Sequence, residues 1–206
     1  MNRYVTELIG AFFLTLTAAL TGNPLAIGGV LMVLVYMGGH VSGGHYNPAV
    51  SLGVMIRGKL PPKDLLPYVI FQIIGGFLAG LVYFLFMEKT TAPAPGAGVA
   101  VWKAVLAEVL FTLLLVLTVL NVATAKATAG NSYFGLAIGF AVVCGAFAVG
   151  PVSGAAFNPA VAIGLILMDA IKGGSSIPNI WIYIVGPLLG GTIAAFVFKF
   201  MNPDDV

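Results

Sequence analysis

Two stretches of this chain, 111 residues apart, are nearly the same: GHVSGGHYNPAVSLG at 39–53 and GPVSGAAFNPAVAIG at 150–164. Nine of the fifteen positions are identical with no gap. Each stretch passes from small residues to Asn-Pro and then to a short apolar run. Asparagine is a favoured N-cap and proline a favoured first-turn residue, so each Asn-Pro predicts a helix start. The runs that follow, 47–56 and 158–168, are too short to cross a bilayer, which takes roughly 20 residues. They predict half-helices that dip into a membrane. A unit of this kind carried twice points to one site built where two interrupted helices meet.

The remainder of the chain supplies the membrane. Long apolar runs lie at about 5–22, 66–87, 101–122 and 179–200, and two shorter, Gly-rich ones at about 25–41 and 133–151. Hydrophobic residues make up 60% of the chain and charged residues 8%, against about 25% charged in a soluble domain. Too few polar groups remain to cover a water-facing surface. The expected fold is an all-α membrane protein, with six transmembrane helices plus two re-entrant half-helices in an inverted repeat. Each half opens on a span holding a glutamate, Glu7 in TELIGAF and Glu108 in AEVLFTL, and closes on a Gly-rich span, IIGGFLAG and PLLGGTIAA. Three spans per half is an odd number, so the second half enters the membrane inverted. We expect a single channel domain over 1–206, with halves at about 1–90 and 100–206 joined by an external loop, EKTTAPAPGAGVA at 88–100. The apolar stretch of MNRYVTELIGAFF holds Glu7 and is followed by no obvious cleavage site, so it predicts a first span and not a signal peptide.

Lysine and arginine orient the spans. With the N-terminus inside, Arg3, Arg57, Lys59, Lys63, Lys126 and Lys199 fall on the cytoplasmic side and Lys89, Lys103 and Lys172 outside. Six against three predicts both termini in the cytoplasm. A scattered net charge of +2 argues against nucleic acid as a partner. The single cysteine, Cys144, excludes an internal disulfide framework and a CxxC motif. The absence of a nucleophile–base set or a metal-binding cluster argues against an enzyme.

Irregular backbone at membrane depth is tolerated where it lines a water-filled cavity or is packed in protein. The carbonyls around Gly39 to His45 and Gly150 to Phe157 would form a ladder of acceptors along such a cavity. Asn47 and Asn158 can point amide donors into it, and the half-helix N-termini add positive partial charge. A water held there accepts from the asparagines and donates outward, which breaks a continuous proton chain, while the positive ends oppose cations. Glu7 and Glu108 are either proton-relay carboxylates or acceptors that tie down loop backbone. His40 and His45, both read as part of the first re-entrant loop, could gate by protonation near pH 6.5, brace the loop or line the pore. Glycines at 75–76, 80 and 190–191 suit close helix packing.

The paired NPA boxes (Asn47, Pro48, Ala49 and Asn158, Pro159, Ala160), their SGxxxNPAV context and the two glutamates resemble the aquaporin/aquaglyceroporin family over nearly the whole chain. The resemblance implies a homotetramer with one pore per protomer and no cofactor. Neither histidine has the carboxylate or second histidine at the spacing a metal site needs, so no metal is expected, and the membrane expected is the plasma (cell) membrane. It also favours the acceptor reading of Glu7 and Glu108. Members usually carry arginine directly after the second NPA; this chain has Val161. Counted outward from the NPA boxes, the other filter positions fall on Ile27, Ala146 and Ala155. A filter without arginine or histidine should be wider and less polar. The function expected is a passive channel for water and small neutral solutes such as glycerol, urea or ammonia. An ion- or proton-coupled secondary transporter is the alternative, and a structural protein with a vestigial pore a third.

Overall fold

The computed structural model describes residues 1–205. Eight α-helices are present among them: α1 (Asn2–Thr21), α2 (Pro24–Ser42), α3 (Pro48–Ile56), α4 (Pro62–Met87), α5 (Val101–Val119), α6 (Phe134–Ser153), α7 (Pro159–Ile171) and α8 (Ile182–Met201). A π-helical turn, Leu120–Thr124, prolongs α5. Six of these helices are long and apolar enough to cross a membrane; α3 and α7 are not among them. At nine and thirteen residues, α3 and α7 are about 14 and 20 Å long by the helical rise, short of the ~30 Å hydrocarbon core.

Local chemistry sets the ends. Asn23 caps α2 by accepting from the Leu25 N–H at 2.9 Å, and Pro24 follows it. Asn47 caps α3 at the Ala49 N–H and Asn158 caps α7 at the Ala160 N–H, each at 2.9 Å. Helices α2 and α6 stop where Gly43 (φ 95°) and Gly154 (φ 83°) adopt the left-handed conformation, which glycine reaches without penalty.

These stops correct two expectations. Gly39–Ser42 and Gly150–Ser153 are helical, so the irregular backbone shrinks to Gly43–Tyr46 and Gly154–Phe157 and the acceptor ladder is correspondingly short. The Gly-rich approach reads as loop from sequence, yet tertiary packing holds it in helix up to the capping glycine. His40 accordingly sits in the last turn of α2 and not in the re-entrant loop. At the other ends, α4 starts at Pro62, earlier than 66, on a Pro61-Pro62 entry. Helix α8 starts at Ile182, later than 179, after the 3₁₀ turn Ile177–Asn179.

The helices pack as two matching sets. α1 lies on α4 as α5 lies on α8, and α2 crosses α6 between the sets. Each half-helix packs against the last helix of the other half, α7 on α4 and α3 on α8. The Gly-Gly pairs make this exchange possible. A Cβ on Gly191 would meet the Ala49 carbonyl at 2.6 Å, and one on Gly76 would collide with the Ala160 carbonyl. Small residues that let backbones touch are the usual means of close helix association in membranes.

Candidate permeation site

The N-termini of α3 and α7 meet at the centre of the molecule. The Asn47 amide donates to the Phe157 carbonyl at 2.8 Å, and the Asn158 amide donates to the Tyr46 carbonyl at 2.9 Å. Each asparagine therefore spends its oxygen on its own helix and one N–H on the opposite loop, leaving a second N–H for whatever lies between. Tyr46 (φ 52°) and Phe157 (φ 47°) are both in the left-handed region, an uncommon place for bulky residues. The carboxylates hold them there: the Tyr46 N–H reaches Glu7 Oε2 at 2.6 Å and the Phe157 N–H reaches Glu108 Oε2 at 2.7 Å.

Both glutamates are fully buried behind their loops. Glu7 also accepts from Ser42 Oγ (2.6 Å), the His45 N–H (3.0 Å) and Gln72 Nε2 (2.7 Å). Glu108 accepts from Ser153 Oγ (2.7 Å) and the Ala156 N–H (3.1 Å). Tyr68 and Tyr183 close each arrangement by donating to the Ser42 and Ser153 carbonyls. Every oxygen of both carboxylates thus faces donors, and neither carboxylate lines the central cavity.

That cavity, about 60 Å³, is lined by Asn47, Asn158, His45, Ile27, Ala155 and Val161 together with aliphatic side chains such as Leu31 and Val142. No Asp, Glu, Lys or Arg is among its lining residues. On the side of the first re-entrant loop it meets two wider spaces of about 500 and 620 Å³, which share His45, Gly44 and Val119 with it. Pro48, Ala49, Pro159 and Ala160 are buried in the first turns of the half-helices.

Two candidate residues stand apart. Ala146 does not line the cavity; Val142, one turn earlier on the same face of α6, does. His40 is exposed, makes no side-chain hydrogen bond to the described residues, and faces the wider outer space. Other contributors went unflagged by sequence. Gln72 and Ser51 are fully buried and bonded to each other at 3.0 Å. Gln72 carried a usable signal, since a polar side chain inside an apolar span calls for a reason.

Away from the cavity, Arg57 at the end of α3 is buried with its guanidinium 4.7 Å from the centroid of the Phe198 ring. It bonds Asp205 at 2.8 Å, and Asp205 also accepts the Lys126 N–H at 2.7 Å. That N–H first, then the neighbouring guanidinium, holds the Asp205 carboxyl below its usual range. Among the described residues, no group of three or more His, Cys, Asp or Glu could hold a metal ion.

The family model for the major intrinsic protein family matches residues 3–198. An aquaporin of Methanothermobacter thermautotrophicus, AqpM, is 31% identical over 188 residues, covering 87% of this chain and 76% of its own. The glycerol uptake facilitator protein-like 6 of Lactiplantibacillus plantarum is 31% identical over 224 residues and the full length of both chains. In fold, the crystal structure of the aquaglyceroporin from Plasmodium falciparum superposes with a TM-score of 0.89 at 20% identity, over 99% of this chain and 98% of that one.

Proposed function

Since the chain belongs to the major intrinsic protein family, whose members are membrane channels for water and small solutes and not enzymes, we propose that it is a passive pore for water and small neutral solutes. The observation that carries this reading is the exchange of hydrogen bonds between Asn47 and Asn158 and the opposite loops, around a cavity with no charged lining. Two spare amide donors and two positive helix ends at one point suit a permeant that offers a lone pair and carries no positive charge. Glu7 and Glu108 serve as acceptors bracing the loops. A coupled transporter would need a charged or ion-binding cluster on the pathway; the cavity lining holds no Asp, Glu, Lys or Arg, its one imidazole, His45, stands alone there, and both carboxylates are spent behind it.

The filter of this pore is apolar, formed by Ile27, Ala155 and Val161, with Val142 and not Ala146 as the contribution of α6. The relatives' names divide between aquaporin and glycerol uptake facilitator, and an apolar filter without arginine favours admission of glycerol-sized solutes beside water. In this reading the working form is a homotetramer in the plasma membrane, and both termini are cytoplasmic, the orientation that the lysine and arginine distribution favours. Stopped-flow light scattering on proteoliposomes tests the transport mode. Flux should follow osmotic or concentration gradients alone; accumulation against a gradient that collapses with an ionophore would overturn the reading.

A further inference from the structure

The first re-entrant loop carries a chain of side chains that the second lacks. Gln72 Nε2 donates to Glu7 Oε2 at 2.7 Å and to Ser51 Oγ at 3.0 Å. Ser51 Oγ lies 3.1 Å from His45 Nδ1. Donor and acceptor capacities fix the direction of each link. Glu7 receives the N–H groups of His45 and Tyr46, so it acts as an acceptor. Turning the Gln72 amide over would set its oxygen against that carboxylate. The amide therefore faces Glu7 with nitrogen, leaving Gln72 Oε1 buried without a partner, and its second hydrogen goes to Ser51. Having accepted from Gln72, the Ser51 hydroxyl has one acceptor in reach among the described residues, His45 Nδ1. The His45 ring is left with its proton on Nε2.

That nitrogen has no hydrogen-bond partner among the described residues, and the ring borders open space. His45 lines both the central cavity and one of the wider spaces beyond it. Its Nε2 edge lies beside Gly43, where a Cβ would come within 2.9 Å of the nitrogen. Glycine at 43 keeps the N–H uncovered.

Building on the pore reading above, we propose that His45 is a solute-selecting donor of this channel, held in its Nε2–H form by the Glu7–Gln72–Ser51 chain. The permeant recognised is neutral and carries a lone pair: a water, hydroxyl, carbonyl or amine. Ser51 and Gln72 are positioning residues, since neither reaches the central cavity. With the arginine position held by Val161, the polar side-chain contact next to the asparagines comes from the first loop.

Two readouts test this on the protein in bilayers. Solid-state ¹⁵N NMR of histidine-labelled protein, with His40→Gln used to isolate the His45 signals, reports the tautomer. The wild type should show a protonated Nε2 and a bare, hydrogen-bonded Nδ1. In Ser51→Ala the Nδ1–H form should gain population, and Ser51→Thr should restore the original state. Comparison between variants separates the network from the ring's own preference. Stopped-flow flux should fall about two- to tenfold in Ser51→Ala and in His45→Phe, the worth of one hydrogen bond to the permeant. If Ser51→Ala does not fold, Gln72→Leu gives the same test from the other end of the chain. A wild-type proton on Nδ1, a tautomer indifferent to Ser51, or a changed tautomer with unchanged flux would each overturn the inference. A wild type that passes no solute would instead remove the pore reading beneath it.

Discussion

The two re-entrant loops share a frame and differ in what they show the cavity. Around Asn47 stand His45, Ser51 and Gln72; the matching positions around Asn158 are Ala156, Ala162 and Pro187. The Glu, Ser, Tyr and Gly that hold the backbone occur in both halves, while a hydrogen-bonding side chain lining the cavity beside the asparagine, His45, and the Ser51 and Gln72 behind it occur in one. On the proposed pore reading, scaffold and selectivity thus fall to different residues. The duplicated residues answer to the backbone, which must make the same left-handed bend twice, and in that reading the unduplicated ones answer to solute passing between a polar and an apolar half.

The comparison breaks most severely if the braces are not equivalent. Glutamine at position 7 or 108 must turn an NH₂ toward donors that now share a carboxylate. Loss of charged hydrogen bonds of this kind costs on the order of 3 kcal/mol. Glu7→Gln should lower the melting temperature in detergent more than Glu108→Gln, because Glu7 receives Gln72 as a fourth donor. Equal melting of both variants and wild type would remove the brace role from both. The asparagines come next and should behave alike: Asn47→Leu and Asn158→Leu, checked as intact oligomers, should each lower flux about tenfold or more, since leucine both removes a donor, worth up to about tenfold, and puts an apolar side chain where the two helix ends meet. Each should also lose roughly 1 kcal/mol of capping. Unchanged flux in either variant would show that the exchange between halves is structural only.

The smallest effect lies outside the pore. The Asp205 carboxyl is held below its usual range by the Lys126 N–H and Arg57. A lowered value means that the carboxylate stabilises the fold above about 3.8 and that this is lost as pH falls further. Melting temperature should therefore be flat in this contribution from pH 7 to 5 and drop at lower pH, and Asp205→Asn should remove that part of the acid sensitivity. An unaltered acid profile in Asp205→Asn would show that the clasp on Arg57 does not stabilise the fold.

Much of this architecture is legible in the residues because it rests on local rules. Asn-Pro starts a helix, a long apolar run crosses a membrane, and a glutamate in that run needs partners. What stays hidden depends on packing. Gln72 meets Glu7 because α4 lies on α1, and Ser51 meets His45 because the chain bends back at Tyr46. Asp205 and Arg57 are 148 positions apart, a pairing no local pattern announces. His40 and His45 look alike in a Gly-rich string, yet one closes a helix at the surface and the other is buried beside the half-helices. Val142 and Ala146 share a helix face, and the tertiary structure alone decides which of them reaches the cavity.

The contrast between a polar first half and an apolar second half is tested most directly at Val161. Arginine there would add donors, a charge and bulk to the apolar side, where low local dielectric strengthens its repulsion of cations. Water and glycerol permeabilities should be measured side by side in proteoliposomes of the wild type and Val161→Arg. An apolar filter predicts measurable glycerol flux in the wild type and a larger loss of glycerol than of water flux in the variant. A wild type that rejects glycerol as completely as Val161→Arg does would contradict it.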